Sequence, residues 1–216
     1  MAYGSHEPYL DVSLPSLYKY ATLHNYDLFI PSHNSIKNYA NHYKLDLNRP
    51  YSWHKIPIML HLIESGYENI LWIDADVVIN KFDKDILSEL NNKNFYQSFV
   101  VHETSEGFIP NCGVWIVNKI SFQFLLDIWN QNRFISHPWW EQKANMHMMH
   151  WDQKNKQQLT LTDYGQQSIE LPYEWNVHKN DYRFDKDTYL KTGRFLHATM
   201  WNDRFKTMKE WTNGGK

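Results

Sequence analysis

Two aspartates separated by a single residue, Asp74 and Asp76, are the side chains whose type and spacing most clearly point to chemistry. Apolar runs flank them, residues 70–73 before and 77–79 after. Side chains two residues apart on an extended chain point the same way, so both carboxylates are predicted to face one spot. Their repulsion grows with burial, and we expect no side chain of the flanking runs to neutralise them.

A divalent cation between the two carboxylates would remove this repulsion. Hard oxygen ligands suit Mg²⁺ or Mn²⁺, and such ions often keep coordination positions that phosphate oxygens fill. Asp74 and Asp76 therefore predict a metal site that binds a diphosphate-bearing substrate. The alternative is a solvated turn where two acids meet by chance, because a bare Asp-x-Asp pattern is common.

The segments around these aspartates alternate between helical and extended patterns. Helices are predicted over residues 8–25, 51–65, 82–90, 121–130 and 139–149, and strands over 26–30, 70–73, 99–101, 113–117 and 194–197, with 160–171 as a connection. The uninterrupted apolar run 70–73 is typical of a central strand covered on both faces. The alternation predicts an α/β, Rossmann-like three-layer sandwich with a mostly parallel central sheet. Ligands of such sheets bind beyond the carboxyl ends of the strands, where the two aspartates fall.

Composition narrows the class of protein. The chain has 216 residues, 42% of them apolar, and is most simply one domain over residues 1–216. A net charge of −2 without a Lys/Arg block argues against a nucleic-acid partner. The single cysteine, Cys112, excludes an internal disulfide and a Cys-based zinc site. No apolar run approaches the roughly 18–20 residues of a membrane span, and the absence of an Asn-x-Ser/Thr sequence slightly favours the cytoplasm.

Six segments, in chain order, resemble one enzyme family. The segments are residues 20–27, 53–57, 70–79, 111–118, 141–144 and 172–176. They are similar to a Tyr-Ala and His-Gly-Tyr segment, a helix start with Trp and Lys, an Asp-x-Asp strand, an Asn-x-Gly strand, an acidic-Gln-x-Ala helix and a Pro-to-Trp-Asn stretch. This order resembles the galactosyl- and xylosyltransferase family that includes xyloglucan xylosyltransferases, which has the GT-A fold. The resemblance covers almost the whole chain.

The resemblance implies transfer of a hexose or pentose from a nucleoside-diphosphate sugar, with a UDP-sugar expected first, to a carbohydrate or glycosylated acceptor, with retention of configuration. His197 stands in the place of the family's late histidine, which joins Asp74 and Asp76 as the third ligand of Mn²⁺ or Mg²⁺. Neutral imidazole suits that role. A structural histidine beside a strand is the alternative.

The resemblance also implies roles around the metal. Asn111, Glu141 and Gln142 are expected to position the sugar, with Glu141 the acidic group nearest the acceptor. Donor contacts are expected from Tyr3, Lys55, Ala75, Gly113 and Lys206.

The chain departs from the family pattern at both ends. The glycine that usually follows the late histidine is replaced by residues 198–201, so the diphosphate contact is open; Arg204 and Lys206 could supply the positive charge, or both could be solvated. The family's first strand is missing or reduced to residues 2–4, which include Tyr3, and we therefore expect a truncated N-terminus. Residues 137–140, His-Pro-Trp-Trp, fit an acceptor-sugar platform and a packed helix entry equally well.

Two other functions compete with this interpretation. A sugar-nucleotide nucleotidyltransferase uses a related sheet and metal, but residues 1–20 lack the Gly-rich basic phosphate loop such enzymes carry. A non-catalytic carbohydrate-binding module would use the ten tryptophans and need no cation. Titration with UDP and Mn²⁺ separates a module from a transferase.

Overall fold

The computed structural model describes residues 7–90 and 94–213 of the chain. The α-helices are α1 (Glu7–Leu23), α2 (His33–His42), α3 (Lys55–Glu64), α4 (Phe122–Trp129), α5 (Trp140–Met148), α6 (Asp163–Gln166), α7 (Tyr189–Thr192) and α8 (Arg204–Thr212). The strands are β1 (Asn69–Ile73), β2 (Val77–Ile79), β3 (Gln97–Thr104), β4 (Gly107–Asn118), β5 (Trp151–Asp152), β6 (Gln157–Gln158), β7 (Ser168–Glu170), β8 (Val177–His178) and β9 (Phe195–His197). Short 3₁₀-helices include Tyr51–His54 and Ile86–Leu90.

The central sheet is mixed. Its order is β1-β4-β3-β7, with antiparallel pairs β1/β4 and β4/β3 and a parallel pair β3/β7. The predicted α/β class is therefore confirmed, but the sheet is not mostly parallel. The reason is the short connection between Thr104 and Gly107, because a two-residue turn can only join antiparallel neighbours. Gly107 adopts φ +106, which glycine tolerates in such a turn.

A second sheet of three strands, β2-β9-β8, lies next to the first. In it β2 pairs antiparallel with β9, and β9 pairs parallel with β8. The expectation of one extended chain through Asp74 and Asp76 is wrong, since β1 ends at Ile73 and β2 begins at Val77 in the other sheet. A turn closed by the Val77 amide on the Asp74 carbonyl (3.1 Å) separates them. The two aspartates thus occupy the junction between the sheets.

The strand β4 separates two hydrophobic clusters, which gives the predicted three layers. Trp115 and Val117 face the cluster formed with α3, α4 and α5, whereas Val114 and Ile116 face the cluster formed with α1. This alternation follows from the period of two along a strand. The strand covered on both faces is therefore β4. The predicted one, β1, is buried at Ile70 and Trp72 and only half-buried at its other positions.

The helices α1, α4 and α5 lie close to their predicted positions, while residues 51–65 divide into a 3₁₀-helix and α3. The predicted strand at 26–30 is wrong, because residues 26–31 form no ladder and Leu28, Phe29 and Ile30 are exposed. They line an apolar groove of about 170 Å³ together with β1, and they pair with no strand of the described chain.

Three further segments differ from expectation. Of residues 82–90, only Ile86–Leu90 is helical, because the Asp85 side chain accepts from the Leu87 amide and starts the helix there. The helix α2 was not predicted; Ser32 caps it, but only Ile36 and Ala40 are buried. Residues 160–171 contain α6 and β7 rather than a plain connection. Within the described residues, every helix is too short or too polar to cross a membrane.

Candidate functional site

A cavity of about 810 Å³ opens where the two sheets meet. Most of the predicted site residues line it: Lys55, Asp74, Ala75, Asp76, Asn111, Gly113, Glu141, Gln142 and His197. Lys206 does not line it, since its side chain is exposed on α8. Tyr3 lies outside the described residues. The structure thus brings together residues that are up to 142 positions apart in the chain, as Lys55 and His197 show.

The ligand atoms of Asp74, Asp76 and His197 all lie within 4.8 Å of one another. His197 Nε2 is 3.3 Å from Asp76 Oδ1, and both side chains are buried, whereas Asp74 is partly exposed. Backbone bonds fix the two acids to different sheets, since the Asp74 amide donates to the Gly113 carbonyl (2.8 Å) and the Ala198 amide donates to the Asp76 carbonyl (2.8 Å). Two carboxylates and one imidazole nitrogen form a donor set that fits Mn²⁺ or Mg²⁺.

The orientation of His197 is set by a chain of amide contacts. Its Nδ1 lies 3.0 Å from Asn176 Oδ1, and Asn176 Nδ2 donates to Asn111 Oδ1 at 2.8 Å. An amide oxygen only accepts, so Nδ1 carries a proton, and Nε2 is the ring nitrogen that faces Asp76 and would bind a cation. This is the arrangement that a metal-binding histidine requires.

Gly113 makes room for this histidine. A Cβ atom at position 113 would overlap the His197 ring and would lie 2.9 Å from Asn111 Oδ1. The glycine therefore allows His197 to pack directly against β4.

The flanking runs contribute one hydrogen bond and no opposite charge, but charged side chains from elsewhere in the chain compensate the two aspartates. Trp72 Nε1 donates to Asp74 Oδ1 at 2.6 Å, and Lys55 Nζ lies 3.3 Å from the same oxygen. Arg204 donates to Asp76 Oδ2 at 3.2 Å. Lys55 and Arg204 are far from the aspartates in sequence, so the local pattern gave no sign of them. The protein supplies part of the positive charge at this site.

These contacts keep Asp76 ionised. Burial on its own would raise the pKa of the Asp76 carboxyl, but His197 and Arg204 outweigh it and lower the pKa to about 2. Asp76 is therefore a carboxylate throughout the physiological range.

Lys55 and Glu141 form a buried ion pair beside Asp74. Lys55 Nζ is 2.9 Å from Glu141 Oε1 and donates to the Cys112 carbonyl at 3.1 Å. Burial alone would lower the Lys55 pKa, but Asp74 and Glu141 raise it above its usual range. The Lys55 ammonium is therefore charged and is bound by protein groups. The other Glu141 oxygen, Oε2, is buried and has no hydrogen-bond partner within residues 7–90 and 94–213, which is uncommon for a buried polar atom.

A β-bulge in β4 positions the central part of the site. The β3/β4 register jumps between Phe99, which pairs with Trp115, and Val100, which pairs with Asn111. The residues between, 112–114, bend out of the β3 ladder, and bulges of this kind re-aim side chains. Two side chains hold the bend: Asn111 Oδ1 accepts from the Gly113 amide (2.8 Å), and Gln142 Oε1 accepts from the Cys112 amide (3.2 Å).

A histidine cluster on the cavity wall was not predicted from the sequence. His102 and His178 line the cavity with their rings 4.7 Å apart. His102 Nδ1 lies 3.0 Å from Asp181 Oδ2, which also accepts from Arg183 at 2.7 Å. Burial is the main cause that lowers the His178 pKa, to about 2, so this imidazole is neutral. None of these residues belongs to a sequence motif. The one local indication is the ion pair that Asp181 and Arg183, two residues apart, can form.

The fold agrees with that of one solved structure. The chain matches the crystal structure of a glycosyltransferase involved in the glycosylation of the major capsid of PBCV-1, over 95% of this chain and 92% of that one, with a TM-score of 0.60 and 19% identity. The glycosyltransferase GlyE of Streptococcus pneumoniae TIGR4 matches over 72% of this chain and 42% of its own, with a TM-score of 0.42 and 14% identity. The first likeness confirms the predicted GT-A-like α/β fold. No protein-family profile and no curated protein matches the sequence.

Proposed function

We propose that this protein is a metal-dependent glycosyltransferase that moves a sugar from a nucleoside-diphosphate sugar to a hydroxyl acceptor. The observation that carries the proposal is the convergence of Asp74, Asp76 and His197 on the wall of a cavity of about 810 Å³. The fold is shared with a protein described as a glycosyltransferase, which supports the same class.

Asp74, Asp76 and His197 Nε2 would hold Mn²⁺ or Mg²⁺. When bound, the cation neutralises charge on the diphosphate as it leaves. Arg204 reaches the same place from α8, since it donates to Asp76 and lines the cavity. We assign to Arg204, rather than to Lys206, the side-chain charge that faces diphosphate oxygens.

The sugar lies on the Glu141 side of the metal ligands. Glu141 Oε2 has no hydrogen-bond partner among the described residues and accepts a hydrogen bond from a sugar hydroxyl, while the ion pair with Lys55 holds the carboxylate in place. Asn111 and Gln142 hold the bend of β4 that forms the floor, and Ala75 and Gly113 let the donor approach the backbone.

In the transfer, the bond between the anomeric carbon and the diphosphate oxygen breaks, and its electron pair stays with the diphosphate. The acceptor oxygen forms the new bond and its proton passes to the departing diphosphate. The resemblance to galactosyl- and xylosyltransferases supports retention of configuration and a UDP-sugar donor.

A donor-hydrolysis screen tests this function. UDP- and GDP-sugars are incubated with wild type, Asp76→Ala and the control Asp187→Ala, with and without Mn²⁺, and released nucleoside diphosphate is measured. Asp187 is exposed on the loop before α7, outside the cavity. We expect Mn²⁺-dependent release by wild type and by Asp187→Ala, and a loss of at least about 100-fold in Asp76→Ala.

Equal release by Asp76→Ala and wild type would overturn the proposal, as would no release from any donor with Mn²⁺. Glycan binding that is indifferent to both UDP and Mn²⁺ would favour a carbohydrate-binding module instead.

A further inference from the structure

Two exposed aromatic side chains stand at the mouth of the cavity. Trp140 is 41% exposed and Tyr51 is 59% exposed, and both line the cavity. Large aromatic groups at the rim of a cavity are a common mark of ligand binding. They belong to α5 and to the 3₁₀-helix Tyr51–His54, and the neighbouring residues Glu141 and Lys55 form the buried ion pair.

The backbone at Trp140 is strained. Its φ is +41, in the left-handed region that bulky residues rarely adopt. The residues that follow explain how this conformation is held, because Glu141 is tied to Lys55 and Gln142 is tied to the Cys112 amide. The contacts of Glu141 and Gln142 thus hold the start of α5 against the cavity wall, and the Trp140 indole remains exposed at the rim. Strain of this kind is typically retained where it serves a function.

The proposed metal ligands and Arg204 come from other elements than the aromatic residues of the cavity. Asp76, His197 and Arg204 come from the β1–β2 turn, β9 and α8, whereas Trp140 follows Pro138 and Trp139, which also line the wall. Glu141 connects these two sets of residues, since Lys55 links it to Asp74 and Trp140 precedes it in the chain. A diphosphate fits the charged set, and an uncharged ring fits the aromatic set.

We propose that Trp140 is the platform on which the acceptor sugar stacks, so that the acceptor is a pyranose with a flat apolar face. This rests on the proposed glycosyltransferase function. The C–H groups of one pyranose face lie against the indole ring, and Tyr51 borders the same mouth. Stacking there brings the acceptor hydroxyl next to Glu141.

Three variants separate the effect of losing the Trp140 ring from an effect on folding. Trp140→Asn removes the aromatic face but accepts a positive φ, so it does not add backbone strain. Trp140→Phe keeps an aromatic face. Tyr18→Ala is the matched control, because Tyr18 is 66% exposed on α1 and lines neither cavity.

Saturation-transfer difference NMR provides the test, with methyl β-D-glucopyranoside and methyl β-D-galactopyranoside as probes in the presence of UDP and Mn²⁺. We expect saturation transfer to at least one glycoside with wild type, Tyr18→Ala and Trp140→Phe, and a loss of about tenfold or more with Trp140→Asn. The calorimetric affinity for UDP with Mn²⁺ should be the same in all four proteins.

Saturation transfer that persists in Trp140→Asn, or that is absent in wild type, would overturn the inference. So would a loss of UDP affinity in Trp140→Asn with the glycoside signal intact, because the indole would then stack on the nucleobase. A wild type that binds glycosides through Trp140 but does not bind UDP would instead refute the transferase and leave the sugar platform standing.

Discussion

At the scale of single residues, the proposed metal site depends on how closely His197 approaches β4. Asn176 sets its ring orientation, and Gly113 provides the space. Gly113 carries a hydrogen atom where other residues carry a Cβ, and this difference decides where the His197 ring lies. Substituting the residues around a metal ligand typically lowers metal affinity 10- to 100-fold.

Gly113→Ala should therefore weaken Mn²⁺ binding by about 10- to 100-fold, because the new methyl group displaces the His197 ring. Electron paramagnetic resonance of free Mn²⁺ in a titration measures this. Gly66→Ala is the control: position 66 has open space but φ +95, so it should lose about 1 kcal/mol of stability and keep its Mn²⁺ affinity. Wild-type affinity in Gly113→Ala would refute the packing role.

At the scale of elements, one buried ion pair joins the start of α3 to the start of α5. Lys55 is 3% exposed and contacts Glu141 and Asp74, which belong to different parts of the fold. Removing one partner of a buried pair leaves an uncompensated charge and typically costs about 3–5 kcal/mol.

Lys55→Met should lower the free energy of unfolding by about 3–5 kcal/mol. The double variant Lys55→Met/Glu141→Gln should recover part of this loss, because one orphaned charge is gone. Urea unfolding of both single variants and the double variant gives the coupling energy. Lys119 and Glu68 form an exposed pair, 55% and 71% exposed, and Lys119→Met should cost less than about 1 kcal/mol. Equal losses in the two lysine variants would contradict the buried-pair account.

The elements that the sequence predicted are those with a local signal. Apolar spacing located α1, α4 and α5, and the spacing of Asp74 and Asp76 located two members of the cluster that His197 completes. These features depend on neighbours within one or two turns of chain, which periodicity detects.

The features that escaped prediction depend on distant contacts. The bend at 112–114 arises from a register jump against β3, and the compensation of Asp76 comes from Arg204, 128 residues away. The apolar run 26–30 has strand composition but pairs with no strand of the described chain. Composition alone does not reveal whether a partner is present, because strand preference depends on context.

At the scale of the whole molecule, the network around Asp181 links β3 to the chain after β8. Asp181 contacts His102 on β3 and also accepts from the Glu103 amide at 3.1 Å. Burial alone would raise the Asp181 pKa, but Arg183 and His102 outweigh it and lower the pKa well below 3.8. Burial is the main cause that lowers the His102 pKa below 6.5.

Both shifts make stability fall in acid. The unfolded chain binds a proton at each group before the folded protein does, so stability is fully present above about pH 6.5 and is lost as the pH falls, first through His102 and below 3.8 through Asp181. We expect Asp181→Asn to be about 2–3 kcal/mol less stable than wild type at pH 7, and this difference to shrink below pH 4. Urea midpoints from pH 3 to 8 measure it.

Asp187→Asn, at an exposed position, should follow the wild-type curve throughout. An Asp181→Asn curve that runs parallel to wild type down to pH 3 would contradict the assignment of the acid response to Asp181.

The most direct test of the central claim is pulsed electron paramagnetic resonance of Mn²⁺ bound to the protein together with UDP. If Asp74, Asp76 and His197 hold the cation and the cation holds the diphosphate, the spectrum shows coupling to one imidazole ¹⁴N and to ³¹P. The ¹⁴N coupling should disappear in His197→Gln. A spectrum of hexaaqua Mn²⁺ alone, or a ¹⁴N coupling that persists in His197→Gln, would contradict the account.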